Sequence, residues 1–167
     1  MNAYSPAELL NLYKTDLNDW ASKNKAVVFI AKDPWNILEL LAQSPAGMRI
    51  ILAWAGDQAL GEQVQAIGST NKLEVILSYN LGLTVQPDAA LLQASADRPA
   101  LLDIISDLRN RVLSLCVPDA ETGVDLSARY VEGDIVTTPD GIPLSAYKLK
   151  FEFDAAFPDY DMREVAE

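Results

Sequence analysis

Residues 147–154 read Tyr-Lys-Leu-Lys-Phe-Glu-Phe-Asp, and this strict alternation decides the fold. Tyr147, Leu149, Phe151 and Phe153 fall on one side of an extended chain, while Lys148, Lys150, Glu152 and Asp154 fall on the other. A strand with that pattern is dry on one face and wet on the opposite face. Residues 129–137 read as a second extended arm, and Thr138-Pro139-Asp140-Gly141 between the two is a turn signal. A closing hairpin over 129–157 is therefore predicted.

Upstream of that hairpin, Pro99 introduces a helix whose stripe is Leu101, Ile104, Ile105, Leu108, Val112 and Leu115; Asp107 and Arg111 form an i,i+4 pair outside, and Pro118 stops it. Residues 80–97 carry no clear period. Residues 73–79 alternate again, with Leu73, Val75, Leu77 and Tyr79 on one side and Glu74 and Ser78 on the other. Together with residues 62–67 they flank Gly68-Ser69-Thr70-Asn71, which reads as the turn of another hairpin. Residues 48–55, MRIILAWA, are apolar on nearly both alternating sets, as in a central strand. Residues 26–31, AVVFIA, read as a short buried strand.

Two further helices complete the pattern. Ser5-Pro6-Ala7-Glu8 is a capping box with proline at the first helical position. Leu9, Leu12, Tyr13, Leu17 and Trp20 then form one stripe that ends by Asn24. Asp33-Pro34 opens a second helix, which carries Trp35, Leu38 and Leu41 inward and closes at Pro45 and Gly47. The predicted order is helix, strand, helix, three strands, helix, two strands. That succession implies an α+β fold, a mostly antiparallel sheet with helices packed on one face in a two-layer sandwich. Residues 1–167 read as a single domain, with an N-terminal helical extension over 1–32 and an acidic tail over 158–167.

Composition restricts the chemistry. The 167 residues contain no histidine, one cysteine (Cys116), and 24 acidic against 13 basic side chains, for a net charge of -11. Serine-histidine, cysteine-histidine and histidine-metal chemistry are thereby excluded. The negative charge argues against gripping a phosphate backbone, which takes clustered Lys and Arg. The longest apolar runs, 26–31 and 50–55, fall far short of the roughly 18 residues of a membrane span. Residues 1–8 show neither a basic opening nor a signal-like apolar run, which predicts a chain that starts in the cytosol.

A hydrolase without histidine would use paired carboxylates or a carboxylate-bound metal, and Asp33, Asp57, Asp125 and Asp134 lie near element ends where a site could collect them. The plainer reading makes Asp33 a helix cap and the others turn residues. Asp140 followed by Lys148 and Lys150 resembles a metal-nuclease strand only superficially, since Ala146 and Lys148 stand where the second acid belongs. The glycines at 56, 61, 68, 82, 123, 133 and 141 have no phosphate-cradling spacing and read as turn glycines. Cys116 reads as a core thiol, and Trp20, Trp35 and Trp54 as core anchors. No catalytic residue, metal site or cofactor is assigned, and the chain is expected not to be an enzyme. What remains is surface.

Five segments carry a resemblance. These are residues 37–41 in a helix, MRIILAWAG at 48–56, LEVILSYN at 73–80, LLDIISDLRNRVLSL at 101–115 and PLSAYKLKFEFDAAF at 143–157. Together they resemble the tail terminator proteins of long-tailed bacteriophages, including the Mu-like branch. The resemblance spans roughly residues 34–158, and its closing strand carries an Ala-Tyr-x-Leu-x-Phe signature at Ala146, Tyr147, Leu149 and Phe151. The first 30 residues and the stretch after Asn80 depart from the pattern.

The resemblance implies a structural virion subunit that forms a homo-oligomer, a hexameric ring. Such a ring caps the tail tube protein, ends tube polymerisation and offers its other face to a head connector or neck protein. It would reside in the virion tail, after assembly in the bacterial host cytoplasm, with no membrane association. DNA would pass through without specific binding, past an acidic lumen. Exposed apolar groups at element ends nominate Ile142, Pro143, Phe157, Tyr160 and Met162 as subunit or partner contacts. Another neck or minor tail protein of similar fold is the alternative, and a carboxylate-metal hydrolase is the alternative from a different class.

Overall fold

The computed structural model describes residues 5–42, 47–59, 68–80, 99–115, 117–118, 125–126, 128–136 and 144–156. Helix α1 (Pro6–Lys23) starts where the sequence places it: Glu8 N donates to Ser5 Oγ at 3.2 Å, and Ser5 N donates back to Glu8 Oε2 at 2.7 Å. This reciprocal box satisfies two of the N–H groups that any helix start leaves without a partner. The two hydrogen bonds to Ser5 hold the Glu8 carboxyl below its ordinary pKa. The buried stripe is Leu9, Tyr13, Leu17 and Ala21; Leu12 is about a third exposed and Trp20 only partly buried.

Strand β1 (Ala26–Ile30) follows through Lys25, whose φ of 56° makes the tight reversal out of α1. Helix α2 (Pro34–Ala42) is capped by Asp33, whose Oδ1 accepts from Asn36 N at 2.8 Å, while Asn36 Oδ1 accepts from Lys32 N. The capping reading of Asp33 therefore holds.

Strands β2 (Gly47–Ala59) and β3 (Gly68–Asn80), each thirteen residues long, pair antiparallel from Gly47 with Asn80 to Ala59 with Ser69. This corrects the hairpin expected around Gly68–Asn71. Those residues lie inside β3: Gly68 pairs with β7, Ser69, Thr70 and Asn71 pair with β2 on one side and β7 on the other, and Ser69 and Asn71 are buried. Pairing on both sides overrides the local turn preference of Gly-Ser-Thr-Asn. Residues 62–67, the other arm of that hairpin, lie outside the described residues.

Helix α3 (Leu101–Leu113) buries Leu101, Ile104, Ile105, Leu108 and Val112, and stops at Ser114, before Leu115. The short strands β4 (Val117–Pro118) and β5 (Asp125–Leu126) pair as a separate ribbon. Strands β6 (Arg129–Ile135) and β7 (Leu144–Ala156) form the closing hairpin pair that the alternation predicts. The turn expected at 138–141 lies outside the described residues.

The five-stranded sheet has the order β1-β2-β3-β7-β6, with β1 parallel to β2 and every other pair antiparallel. A general α+β fold with a mostly antiparallel sheet results. One face carries the main core: Ile50, Leu52, Leu73, Val75, Leu77, Leu149, Phe151 and Phe153 beneath α1 and α3. Each such buried side chain contributes about 1.5–3 kcal/mol, less what the unfolded chain already buries.

Helices on a single face describes α1 and α3 alone. α2 lies against the opposite face, where Leu40 and Leu41 meet Ile51, Ile76 and Ala146 in a second cluster. The reason lies in β2, whose residues 48–53 are buried without interruption and thus need cover on both faces.

Candidate interaction surfaces

The part of the second face beyond α2 is the wet face of β7 and its neighbours, and its charges neutralise one another in rows. Lys148 Nζ lies 3.6 Å from Glu74. Lys150 bridges Glu132 and Asp134 of β6, and these bonds, with Glu132 first, raise its pKa. Arg129 donates to Asp154 at 3.1 Å and lies 3.9 Å from Glu152, while Thr70 Oγ1 donates to Asp154 at 2.8 Å. The Arg129 hydrogen bond, aided by Thr70, holds the Asp154 carboxyl below its ordinary value against the opposing effect of burial. Lys148 and Lys150 are thus ion-paired strand residues, and two cations, Arg129 and Lys150, face four carboxylates on β6 and β7. A shallow recess of about 290 Å³ is lined by the ion-paired Glu74, Glu132, Lys150 and Glu152 together with Lys72 and Val131.

The sheet has two edges, and they differ. β6 is one, and along it Val131 and Ile135 are at least half exposed, with Tyr130 about a third exposed. Tyr130 lies against the Phe151 ring at 5.6 Å and under the Arg109 guanidinium at 5.3 Å, so β6 is held to the main core at that point. A bulge between Tyr130 and Glu132 interrupts the ladder to β7. Gly133 sits under two tyrosines: a Cβ there would lie 2.6 Å from the Tyr147 ring and 2.7 Å from each phenol oxygen.

β1 forms the other edge, but covers only part of β2. Its last pair is Ile30 with Leu52, and Ala31 N donates to Leu52 O at 2.8 Å. From Ala53 onward β2 runs without β1 beside it and opens a groove of about 480 Å³ lined by Leu10, Ala31, Lys32, Ile37, Ala53 and Trp54, among others. A bulge between Trp54 and Asp57, with Gly56 at φ 103°, bends the strand there.

The sequence-based expectations fare unevenly against this geometry. Ile142, Pro143, Phe157, Tyr160 and Met162, nominated as contacts, lie outside the described residues, as do Cys116 and Asp140. Asp33 caps α2, Asp57 sits in β2 opposite Asn71, Asp125 in β5, and Asp134 beside Lys150. Among the described residues, no three His, Cys, Asp or Glu side chains come together in a group that could hold a metal.

Two of the three tryptophans are not core anchors. Trp35 is 77% exposed, and Trp54 is 43% exposed with Nε1 donating to Asn71 Oδ1 at 3.2 Å. Helical spacing placed Trp35 inward, but α2 is short and its contacts with the sheet run through Ile37, Leu40 and Leu41. Nor are Gly56, Gly68 and Gly133 turn glycines, since all three lie within strands. The unequal edges escaped the sequence reading; their one signal is length, five residues of β1 against thirteen of β2.

Among the described residues no helix is long and apolar enough to cross a membrane. No protein-family model matches this chain, and comparison with curated proteins returns no match.

Proposed function

We propose that the chain is a structural subunit that closes into a ring, a hexamer by its resemblance to tail terminators, on the end of a phage tail tube. Occupying the last tube ring stops further addition, and the opposite face of the ring meets a head connector or neck protein. The observation that carries this reading is the presence, among the described residues, of two different unpaired sheet edges on one subunit, each with exposed apolar side chains. A subunit with two unlike surfaces joins head to tail, and such contacts close into rings when the rotation is right. The net charge of -11 suits a ring through which DNA slides without sticking.

Electron microscopy of particles made without this protein tests the role. Abnormally long, headless tails are the expected outcome; tails of normal length joined to heads would overturn it.

A further inference from the structure

Head-to-tail closure as proposed above needs a joint, and the sheet register supplies one. Following the pairing across the sheet, Gly133 shares a row with Leu149, Val75, Leu52 and finally Ile30. Ile135 shares a row with Tyr147, Leu77, Ile50 and Val28. Tyr130 shares its row with Phe151, Leu73 and Trp54, and there the row ends, because β1 has already stopped. The outer edges therefore match in height: β6 from Gly133 to Ile135 stands level with β1 from Val28 to Ile30, while the row of Glu132 ends at Ala53 and exposed Val131 stands level with the groove beyond β1.

Strand direction matches as well. β1 and β2 run together, β3 against them, β7 with them and β6 against them. In a cyclic ring whose axis lies along the strands, every copy keeps the same sense. β6 of one copy then meets β1 of the next antiparallel, the more stable pairing.

Charge complements the fit. Glu132 and Asp134 share one ammonium, and Arg129 faces both Glu152 and Asp154, so the β6 side holds four carboxylates against two cations. β1 is flanked by Lys25 and Lys32, both exposed and neither in an ion pair among the described residues.

We infer that β6 of one copy adds as an antiparallel strand to the β1 edge of a second copy, with Val131 entering the groove beside Trp54. The sheet thereby continues from subunit to subunit. The bulge at Tyr130 ends the new ladder at the point where the groove begins.

The test uses the full chain and two variants, each blocked at one edge. Val131→Lys with Ile135→Lys charges the β6 edge; Val27→Lys charges the β1 edge, and all three side chains are exposed. Light scattering is expected to find the wild type as an oligomer larger than a dimer and each variant as a single 18.2 kDa chain. Mixing the two variants should yield a one-to-one dimer and nothing larger, since one intact joint remains. The joint is overturned by a wild type that stays monomeric at its highest soluble concentration, by either variant dimerising alone, or by variants of wild-type size.

A second measurement does not depend on the charged variants folding. Val27→Cys with Val136→Cys, which stand in one row through Arg49, Ser78 and Ala146 and so share a sheet face, in a Cys116→Ser background, should give a ladder of covalent multimers on copper-phenanthroline oxidation. Cross-links no larger than those of the single-cysteine chains would refute the register. Retained assembly in the edge variants sinks the joint alone, whereas normal tails in particles lacking the protein sink the capping role alone.

Discussion

Arg111 of α3 grips Asp16 of α1 with two hydrogen bonds, Nε to Oδ2 at 3.0 Å and Nη2 to Oδ1 at 2.8 Å. The same Nη2 donates to the Asp16 backbone carbonyl at 3.3 Å. Spacing alone had paired Arg111 with Asp107 on its own helix, whereas the guanidinium instead ties together the two helices that cover the main core. A planar fork on a carboxylate is stronger than an ordinary surface pair, and both side chains are only partly exposed. Arg111→Lys is expected to lose about 1 kcal/mol in urea unfolding, with Asp16→Asn adding little on top of it. Equal stability of Arg111→Lys and wild type would show that the fork contributes nothing.

Tyr13 is fully buried against Phe153, yet its hydroxyl has no hydrogen-bond partner among the described residues. Burial raises its pKa well above the ordinary value, and the Asp16 carboxylate raises it further. The folded phenol thus stays protonated where the unfolded one ionises, so stability present below about pH 10 is lost as pH rises beyond it. Tyr13→Phe relieves a desolvated hydroxyl and should stabilise the chain by about 1 kcal/mol at neutral pH. It should also flatten the alkaline decline. A less stable variant would mean that the hydroxyl has a partner in solution.

Gly133 has no room for a side chain, because the Tyr130 and Tyr147 rings close over it. Gly133→Ala forces both phenol ends to move, and because both rings are partly exposed the cost is at the low end of overpacking, about 1 kcal/mol. The expected result is a lower thermal midpoint together with a changed tyrosine near-ultraviolet circular dichroism signal. An unchanged midpoint would place the rings elsewhere in solution.

Asp154 anchors the outer hairpin through Arg129 and Thr70, and its carboxyl pKa is lowered in the folded chain. A depressed folded pKa contributes stability that is complete above the unfolded value, about 3.9, and disappears as pH falls through the folded value. Wild-type urea midpoints should therefore decline below about pH 4. Arg129→Gln should start lower at pH 7 and decline less. Parallel acid limbs for the two chains would show that the pair carries no pH dependence.

Features set by local chemistry and periodicity are legible along the chain. The Ser5 and Asp33 caps, the α3 stripe and the wet and dry faces of β7 were readable because each is decided by neighbours a few residues apart. Net charge and the lack of histidine likewise narrowed the chemistry before any fold was known. Tertiary structure alone decided the rest. Gly68–Asn71 became strand because β2 and β7 offered ladders on both sides, and α2 crossed to the other face because β2 is apolar on both. Trp54 was left at the surface because β1 ends seven residues short of β2 along their shared edge, and Trp35 because short α2 meets the sheet through Ile37, Leu40 and Leu41. Edges, rows and grooves are properties of strands distant in sequence, so no window along the chain contains them.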